Sequence, residues 1–341
     1  MNSKNILVTG GAGFMGSHVA DYLINEGHKV TILDDLSGGY LENVNPDAEF
    51  IKGSINDRDL VDKVTKDKNI VYHLAAYAAE GLSHFVRNFN YNNNLIGSIN
   101  LINSSIKSGV DRFLFTSSMA VYGSGEPPFD ETTIPHPEDP YGISKFAVEM
   151  DLEAAKKTHS LEYTILRPHN VYGERQNIAD PYRNVIGIFM NRIMEGLPPL
   201  IFGDGKQTRA FSYIEDVSPF IAKAPFIEEA KGEIINIGSG KMYSLNDLAK
   251  VVIDAMKLEV IAEHVPPRYE VEHAYCTTEK SERILGFEER TSLEEGIKKM
   301  ALWAKEKGPM KPTIWKSYEL NKNLPNFWKD LKETYNNAEK R

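Results

Sequence analysis

Three polar side chains of this sequence could act together on a hydroxyl group of a substrate. Tyr141 and Lys145 are four positions apart, so they share one face if the segment is helical. A free tyrosine has a pKa of about 10, and a nearby ammonium group favours its ionised form. Tyr141 is therefore a candidate general base. Ser118 follows a predicted buried strand and could bond to the same substrate oxygen.

A predicted helix over residues 140–158 would hold the tyrosine and the lysine. Asp139 can cap its N-terminus, and Pro140 suits the first helical position. The Tyr-x-x-x-Lys spacing alone is common by chance and more often marks a structural helix face. The catalytic interpretation is favoured because a nucleotide-binding pattern and the strand-end serine precede it in the chain.

That nucleotide-binding pattern is a glycine-rich turn between a predicted strand and a predicted helix. The turn contains Gly10, Gly11, Ala12, Gly13, Phe14, Met15 and Gly16. Glycines there permit a tight turn and let backbone N–H groups approach a pyrophosphate at the helix N-terminus. Asp34, 18 residues after Gly16, can accept a bond from a ribose 2′-hydroxyl, and Asp35 adds negative charge that would repel a 2′-phosphate. The sequence therefore predicts NAD rather than NADP.

The elements that must position these residues alternate between strands and helices. Strands are predicted at residues 5–9, 29–33, 50–52, 70–75, 112–116 and 163–167, and helices at 17–26, 92–108, 140–158, 244–256 and 292–305. This alternation predicts an α/β fold, a Rossmann-type doubly wound parallel sheet with a smaller, interleaved C-terminal substrate domain. We expect an NAD-binding domain at residues 1–168, to which about 205–240 return. A mainly substrate-binding domain would span 169–307, and 308–341 would be a docked extension.

Composition excludes several classes of protein. The net charge of −9 argues against nonspecific nucleic-acid binding. The single cysteine, Cys276, excludes a disulfide within the chain and is expected to be a half-buried structural residue. No signal-peptide pattern and no apolar run of membrane-spanning length is found, so we expect a cytoplasmic protein with no membrane partner. No metal site is expected.

These motifs resemble those of the extended short-chain dehydrogenase/reductases, and among them the UDP-glucose 4-epimerase-like group of the NAD-dependent epimerase/dehydratase family. The resemblance covers residues 5 to about 305. It rests on the glycine turn, on the segment TSSMAVYG at 116–123, and on YGISK at 141–145. The remaining cofactor-binding set is expected to comprise Ser37, Gly38, Ser54, Ile55, Leu74, Ala75, Ala76, Tyr77, Asn94, Thr116, Pro168 and His169.

The resemblance also implies a substrate-binding set and three departures from the family pattern. Besides Ser118 and Tyr141, the expected substrate-binding residues are Glu80, Asn170, Asn184, Val185, Gln207, Arg209, Arg268 and Glu270, with Arg209 as the diphosphate cation. The family usually has Gly-Asp where this chain has Gly53-Ser54. Its Arg-x-Gly-Asp segment is one residue shorter here, and the stretch 77–85 beside the sugar site is unusual.

The mechanism implied is redox-neutral inversion at a sugar carbon. Tyr141 would take the proton of the sugar 4-hydroxyl while hydride passes to NAD⁺, and Lys145 would hold the nicotinamide ribose. The transient 4-keto sugar would turn, and hydride would return to its opposite face. UDP-glucose and UDP-galactose are the expected substrates. The resemblance further implies a homodimer with an interface formed by the helices near 92–108 and 140–158.

Other functions remain open. A nucleotide-sugar 4,6-dehydratase would place Asp-Glu after the serine, where this chain has Met119-Ala120. A UDP-uronate epimerase or decarboxylase is a second and softer rival, because Arg183 could bind a carboxylate. Glu80 would repel that carboxylate, which favours a neutral hexose. A non-catalytic NAD-binding sensor is a rival of another class, but it would not need the serine, tyrosine and lysine together.

Overall fold

The computed structural model describes residues 3–267 and 271–331. The strands are β1 (Asn5–Thr9), β2 (Lys29–Asp34), β3 (Glu49–Lys52), β4 (Ile70–His73), β5 (Arg112–Thr116), β6 (Tyr163–Pro168), β7 (Val171–Tyr172), β8 (Leu200–Phe202), β9 (Thr208–Ala210), β10 (Ser212–Tyr213), β11 (Ile234–Ile237), β12 (Met242–Ser244), β13 (Glu263–Val265) and β14 (His273–Ala274). The helices are α1 (Phe14–Asn25), α2 (Arg58–Thr65), α3 (Glu80–Ser83), α4 (Arg87–Tyr91), α5 (Gly97–Ser108), α6 (Pro140–His159), α7 (Val185–Met194), α8 (Ile214–Lys223), α9 (Leu245–Met256), α10 (Glu279–Leu285) and α11 (Leu293–Lys307).

Seven parallel strands form the central sheet in the order β11-β6-β5-β4-β1-β2-β3. From β1 the chain first adds β2 and β3 on one side of the sheet and then β4, β5 and β6 on the other. The order in which strands are added therefore reverses between β1 and β4, which are neighbours in the sheet. In sheets of this kind the reversal opens a crevice at the carboxyl ends of the strands, where ligands bind. The predicted Rossmann-type sheet is confirmed, and its crevice lies between the ends of β1 and β4.

Helices cover both faces of the sheet because the strands are apolar on both faces. One buried cluster joins the sheet to α1 and α8, and a second joins it to α2, α5 and α6. Leu7 belongs to the second cluster, whereas its neighbours Ile6 and Val8 belong to the first. This alternation buries successive side chains on opposite faces, as expected for a parallel strand between two helical layers.

The helix that carries the tyrosine and the lysine forms as predicted. It runs from Pro140 to His159, and Asp139 Oδ1 accepts hydrogen bonds from the backbone N–H groups of Tyr141 (2.9 Å) and Gly142 (3.0 Å). These bonds satisfy donors that have no partner within the first helical turn. The start of α6, and with it the direction of the tyrosine ring, is therefore fixed by a side-chain cap.

The helix predicted for residues 92–108 differs from the structure. Helical conformation already begins at Arg87, and one π-helical turn (Asn92–Ile96) separates α4 from α5. Turns of this kind are frequent at functional sites. Here the turn carries Asn94, whose side chain reaches back to the loop that follows β4.

The second half of the chain adds a smaller layer of helices and short sheets. Helices α7, α9 and α11 pack together around one buried cluster, and β12-β9-β14 and β13-β8 form two small sheets beside them. Between these elements, α8 and β11 return to the central sheet and its helical layer. The division of the chain into domains at residues 168 and 307 stays a proposal.

The segment after α11, residues 308–331, is docked onto the protein. Trp328 is only 1% exposed and packs with Tyr318 and Leu324 against residues of the loop after β4. Within the described ranges, no helix combines the length and the apolar character needed to cross a lipid bilayer.

A buried ion pair joins α6 to β6. Glu149 accepts a bond from Arg167 Nε at 3.0 Å, and both side chains are 2% exposed. Arg167 also lies over the ring of Tyr122, with 4.7 Å between its guanidinium carbon and the ring centroid. Removal of one member of such a pair leaves the other as an uncompensated charge in the core.

We therefore expect Glu149→Ala to lower the free energy of unfolding by about 3–5 kcal/mol. Urea-induced unfolding followed by fluorescence measures it. Glu153→Ala on the same helix is the matched control, because Glu153 pairs with Lys157 at the surface and such pairs contribute at most about 1 kcal/mol. Equal losses in the two variants would contradict the role assigned to the buried pair.

Candidate active site

One cavity of about 500 Å³ runs along the carboxyl ends of the strands. At one end it is walled by the turn after β1 and the ends of β2 and β3, and in its middle by the residues after β4 and β5. Its other end is formed by α7, β8 and β9 from the second half of the chain. The wall of this one cavity therefore contains predicted cofactor, catalytic and substrate residues.

The turn after β1 is shaped so that only glycine fits at two positions. Gly10 has φ +74°, and a Cβ on it would lie 2.7 Å from the backbone nitrogen of Ala75. A Cβ on Gly16 would lie 2.1 Å from the carbonyl oxygen of Gly10. The N-terminus of α1 therefore opens into the cavity with no side chain in front of it, a geometry that suits a pyrophosphate.

Asp34 ends β2 and lies in the same wall. Its Oδ2 accepts a bond from Ala12 N at 3.0 Å and its Oδ1 from Leu36 N at 2.8 Å. Burial raises the pKa of Asp34, and these backbone hydrogen bonds oppose that rise. Each carboxylate oxygen keeps acceptor capacity beyond one bond, so Asp34 can still accept a bond from a ribose hydroxyl. The glycine turn and Asp34 together fit a dinucleotide with a free 2′-hydroxyl.

Most other predicted cofactor residues also line the cavity. They are Gly13, Phe14, Met15, Asp35, Ser37, Gly38, Ser54, Ile55, Leu74, Ala75, Ala76, Tyr77, Thr116 and Pro168. Asn94 stands behind this wall, where its side-chain oxygen accepts a bond from Tyr77 N (2.8 Å) and its nitrogen donates to Tyr77 O (3.0 Å). Asn94 therefore fixes the backbone of the loop after β4.

His169 is not placed as expected. Its side chain is fully buried and its Nδ1 is 3.4 Å from Ser239 O, on the side of the chain away from the cavity. Its neighbour Asn170 does line the cavity; it has φ +30° and lies beyond the extended residues of β6. Burial lowers the pKa of His169 to about 4, so it is a neutral core residue at physiological pH.

The predicted catalytic side chains converge at the middle of the cavity. Ser118 follows β5 and makes a hydrogen bond with Tyr141. Lys145 Nζ donates to Thr116 O at 2.7 Å and lies 5.8 Å from the centroid of the Tyr141 ring. All three side chains are buried yet reach the cavity wall. The arrangement can take a proton from a hydroxyl group and hold the oxygen that is left.

The electrostatics of Tyr141 differ from the expectation. Burial raises its pKa well above the usual value, the charge of Glu80 raises it further, and the hydrogen bond with Ser118 only partly opposes the rise. Burial also lowers the pKa of Lys145 to about 7, so at neutral pH the lysine carries only part of the ammonium charge that was expected. The protein's own groups therefore favour the protonated form of Tyr141, and a further positive charge in the cavity would favour its ionisation.

A layer of buried charge behind the catalytic residues was not predicted. The hydroxyl of Ser117 donates to Glu149, whose charge raises the pKa of Lys145 against the effect of burial. The available signal was helical spacing, because Tyr141, Lys145 and Glu149 are each four residues apart and so share one face of α6. An acidic residue at that position tunes the lysine from inside the core.

Predicted substrate residues occupy the other half of the cavity. Those that line it are Glu80, Asn170, Asn184, Val185, Gln207 and Arg209. Asn184 has φ +65° at the N-terminus of α7, a conformation that asparagine tolerates better than most residues. Arg209 is anchored by bonds from its guanidinium to the carbonyl oxygens of Thr208 and Glu272. Arg268 and Glu270 lie outside the described residues.

Asp34 gives a direct test of cofactor choice. Asp34→Ala should weaken NAD binding by about 1–3 kcal/mol, the usual cost of losing a hydrogen bond to a charged group, and should reduce the preference for NAD over NADP. Titration calorimetry with both dinucleotides measures this. Asp47→Ala is the control, because Asp47 is exposed and lies outside the cavity wall. Unchanged NAD affinity in Asp34→Ala, with equal NADP binding by the wild type, would refute the ribose role.

Comparison with known proteins agrees with this geometry. Residues 6–238 match the model of the NAD dependent epimerase/dehydratase family. A putative UDP-glucose 4-epimerase of Methanocaldococcus jannaschii is 41% identical over 88% of this chain and 98% of its own. A UDP-N-acetyl-alpha-D-glucosaminuronate decarboxylase of Bacillus cytotoxicus is 32% identical over 89% of this chain and 98% of its own.

A solved structure shares the architecture as well. The crystal structure of UDP-glucose 4-epimerase from Thermotoga maritima with UDP-glucose superposes with a TM-score of 0.82 at 38% identity, over 89% of this chain and 99% of that one. The family match spans more than half of the chain, and the relatives match along nearly their whole length. The glycine turn, Asp34 and the family match make NAD the cofactor, and the chain belongs to the NAD-dependent epimerase/dehydratase family of nucleotide-sugar enzymes.

Proposed function

We propose that this protein is a nucleotide-sugar 4-epimerase that interconverts UDP-glucose and UDP-galactose. One observation carries the proposal: Ser118, Tyr141 and Lys145 converge midway along a cavity that has the dinucleotide turn at one end and Arg209 at the other. A nucleotide-sugar bound with its diphosphate near Arg209 would place its sugar beside Tyr141. The similarity to proteins named UDP-glucose 4-epimerase supports this substrate.

In the proposed reaction, Tyr141 takes the proton of the sugar 4-hydroxyl and Ser118 holds the same oxygen. Bound NAD supplies the hydride acceptor and, when oxidised, the positive charge that favours the Tyr141 phenolate. Lys145 holds the nicotinamide ribose, and its pKa of about 7 lets it adjust its charge near neutral pH. After the 4-keto sugar turns, Tyr141 returns the proton to the oxygen while the reduced cofactor would supply the hydride to the opposite face of C4, so that the configuration at C4 is inverted.

The residues after the catalytic serine favour epimerisation over dehydration. Elimination of water requires an acid and a base beside the sugar, and a dehydratase would carry them at the positions of Met119 and Ala120. Met119 is instead a buried apolar residue whose sulfur lies 3.8 Å from Asn170 Nδ2. Neither side chain can transfer a proton, so the keto sugar formed at this position has no local route to elimination.

The central test is Tyr141→Phe, which removes the proton acceptor and keeps the ring. Turnover should fall about 10²–10⁴-fold, the usual contribution of general acid–base catalysis, with little change in substrate binding. In the wild type, the rate should rise with pH up to the pKa that Tyr141 has in the holoenzyme, which bound oxidised NAD would shift below its raised value in the protein alone.

The assay is C4 inversion of a panel of UDP-sugars followed by NMR, with a pH–rate profile for each protein. Ile143→Ala is a control on the same helix, since Ile143 is exposed and lies outside the cavity wall. Near-normal turnover in Tyr141→Phe would remove the tyrosine from the mechanism. Absence of C4 inversion with every UDP-sugar would reject the epimerase proposal.

The charges beside the sugar position favour a neutral hexose. Arg183, the candidate partner for a uronate carboxylate, already donates from Nε to Asp180 Oδ2 at 2.8 Å and lies over the ring of Tyr77. Asp180 is 6% exposed and would lose its ionic partner if Arg183 turned away. Glu80 lines the cavity and its charge acts on Tyr141. The carboxylate of a uronate would meet the negative charge of Glu80, and its candidate partner Arg183 is already paired with Asp180.

We therefore expect kcat/KM for UDP-glucose to exceed that for UDP-glucuronate by at least about fivefold, the equivalent of one charge repulsion of about 1 kcal/mol at 4 Å in water. Steady-state kinetics with both sugars measures this ratio. Glu80→Gln should improve UDP-glucuronate relative to UDP-glucose. A preference for UDP-glucuronate that Arg183→Ala abolishes would show that the arginine, and not Glu80, determines the sugar.

A further inference from the structure

The segment after α11 supplies one residue to the wall of the cavity. Phe327 lines the cavity together with Leu200 and Phe202, at the end opposite to the glycine turn. The Phe327 ring is half-buried, whereas the next residue, Trp328, is in the core. Phe327 therefore presents its ring to the cavity, and Trp328 anchors the segment in the core.

The order of groups along the cavity indicates which part of a ligand this end would receive. The dinucleotide turn lies at the first end, Tyr141 and Ser118 lie in the middle, and Arg209 lies on the β9 side. A nucleotide-sugar with its sugar at Tyr141 and its diphosphate at Arg209 has only its nucleoside left to place. The aromatic end of the cavity around Phe202 and Phe327 would then enclose the nucleoside.

The surroundings of Phe327 suit a planar base. Its ring centroid is 6.3 Å from that of Phe202 with the planes at 75°, so the two rings form a corner rather than a closed stack. The Arg192 guanidinium lies over the Phe327 ring, 5.7 Å from its centroid. Aromatic faces stack with nucleobases, and an arginine beside the ring supplies donors for base oxygens.

Five contacts hold the segment against the sugar-side loops. The hydroxyls of Tyr318 and Tyr182 are 2.9 Å apart, and Trp328 packs edge-on against Tyr182 and Phe85. The Glu319 carboxylate accepts bonds from the backbone N–H groups of Asn88 (2.8 Å) and Phe89 (2.9 Å) at the start of α4. These bonds tie the segment to both loops that border the sugar position.

The Trp315 ring adds a contact closer to the sugar. Its centroid lies 4.6 Å from that of Phe89 and 5.5 Å from that of Tyr77, the residue whose backbone Asn94 fixes. The segment thus packs on the outer side of the same loop whose inner side faces the cavity. Its position is determined by aromatic packing and by backbone hydrogen bonds rather than by surface charges.

We propose that Phe327 is a substrate-binding residue that stacks on the nucleobase of the nucleotide-sugar, and that residues 308–331 form a fixed outer wall of this subsite. The inference rests on the proposed function, because it takes the ligand to be a nucleoside-diphosphate sugar. It adds to that function a residue outside the shared sequence motifs that determines affinity for the nucleotide rather than the rate of the chemical step.

The test uses the holoenzyme and Phe327→Ala, with Phe327→Leu and Phe327→Tyr as graded replacements. Calorimetry with UDP should show a loss of affinity of about 5- to 100-fold in Phe327→Ala, the range of base–aromatic stacking, and near-normal affinity in Phe327→Tyr. Affinity for inorganic pyrophosphate should be unchanged, because it has no base. In kinetics, KM for the UDP-sugar should rise in parallel while kcat stays within about twofold of the wild type.

Lys329→Ala is the matched control, since Lys329 is exposed and bonds only to Asn326 in the same turn among the described contacts. Wild-type UDP affinity in Phe327→Ala would overturn the inference while leaving the proposed function intact. An equal loss for UDP and pyrophosphate would also overturn it, because the effect would then not depend on the base. Wild-type protein that binds neither UDP nor another nucleoside diphosphate would reject the proposed function itself, and the inference with it.

Discussion

The close approach of two backbones at the reversal of the sheet is the constraint on which the site depends. The turn after β1 and the first residues after β4 are in contact, so that a Cβ on Gly10 would lie 2.7 Å from Ala75 N. This approach leaves the N-terminus of α1 open and places it beside the loop that begins at Ala75. A dinucleotide bound at the turn would therefore extend toward that loop and toward the catalytic residues after β5.

Burial has different effects on the cofactor side and on the catalytic side of this close approach. On the cofactor side, it strengthens the bonds that Asp34 makes to the turn and so fixes the shape of the groove. On the catalytic side, it raises the pKa of Tyr141 and lowers that of Lys145 to about 7, so that the tyrosine stays protonated and the lysine is only partly charged near neutral pH. In the proposed reaction, an oxidised cofactor would add the positive charge that the cavity wall alone does not supply to ionise the tyrosine.

Local patterns made the sheet, the glycine turn and the helix cap of Asp139 predictable. Each depends on residues within a few positions of one another, and each obeys rules of spacing that the chain shows directly. The direction of the Tyr141 pKa was not predictable in this way. It depends on how deeply the ring is buried by distant segments, and spacing on a helix carries no information about burial. The placement of His169 failed for a related reason, since a strand-end residue can face either side of the sheet.

The contacts of the sugar side were the hardest to predict because they join segments far apart in the chain. Asp180, Arg183 and Tyr77 form one cluster, although Tyr77 precedes the other two by about a hundred residues. Phe327 reaches the cavity from a segment that has no motif of its own. The sheet and its helices are rigid supports shared across the family, whereas these loops and the segment after α11 are held by individual aromatic and ionic contacts. Under the proposed function, substitutions in these loops and in the segment after α11 would change which sugar and which base are bound.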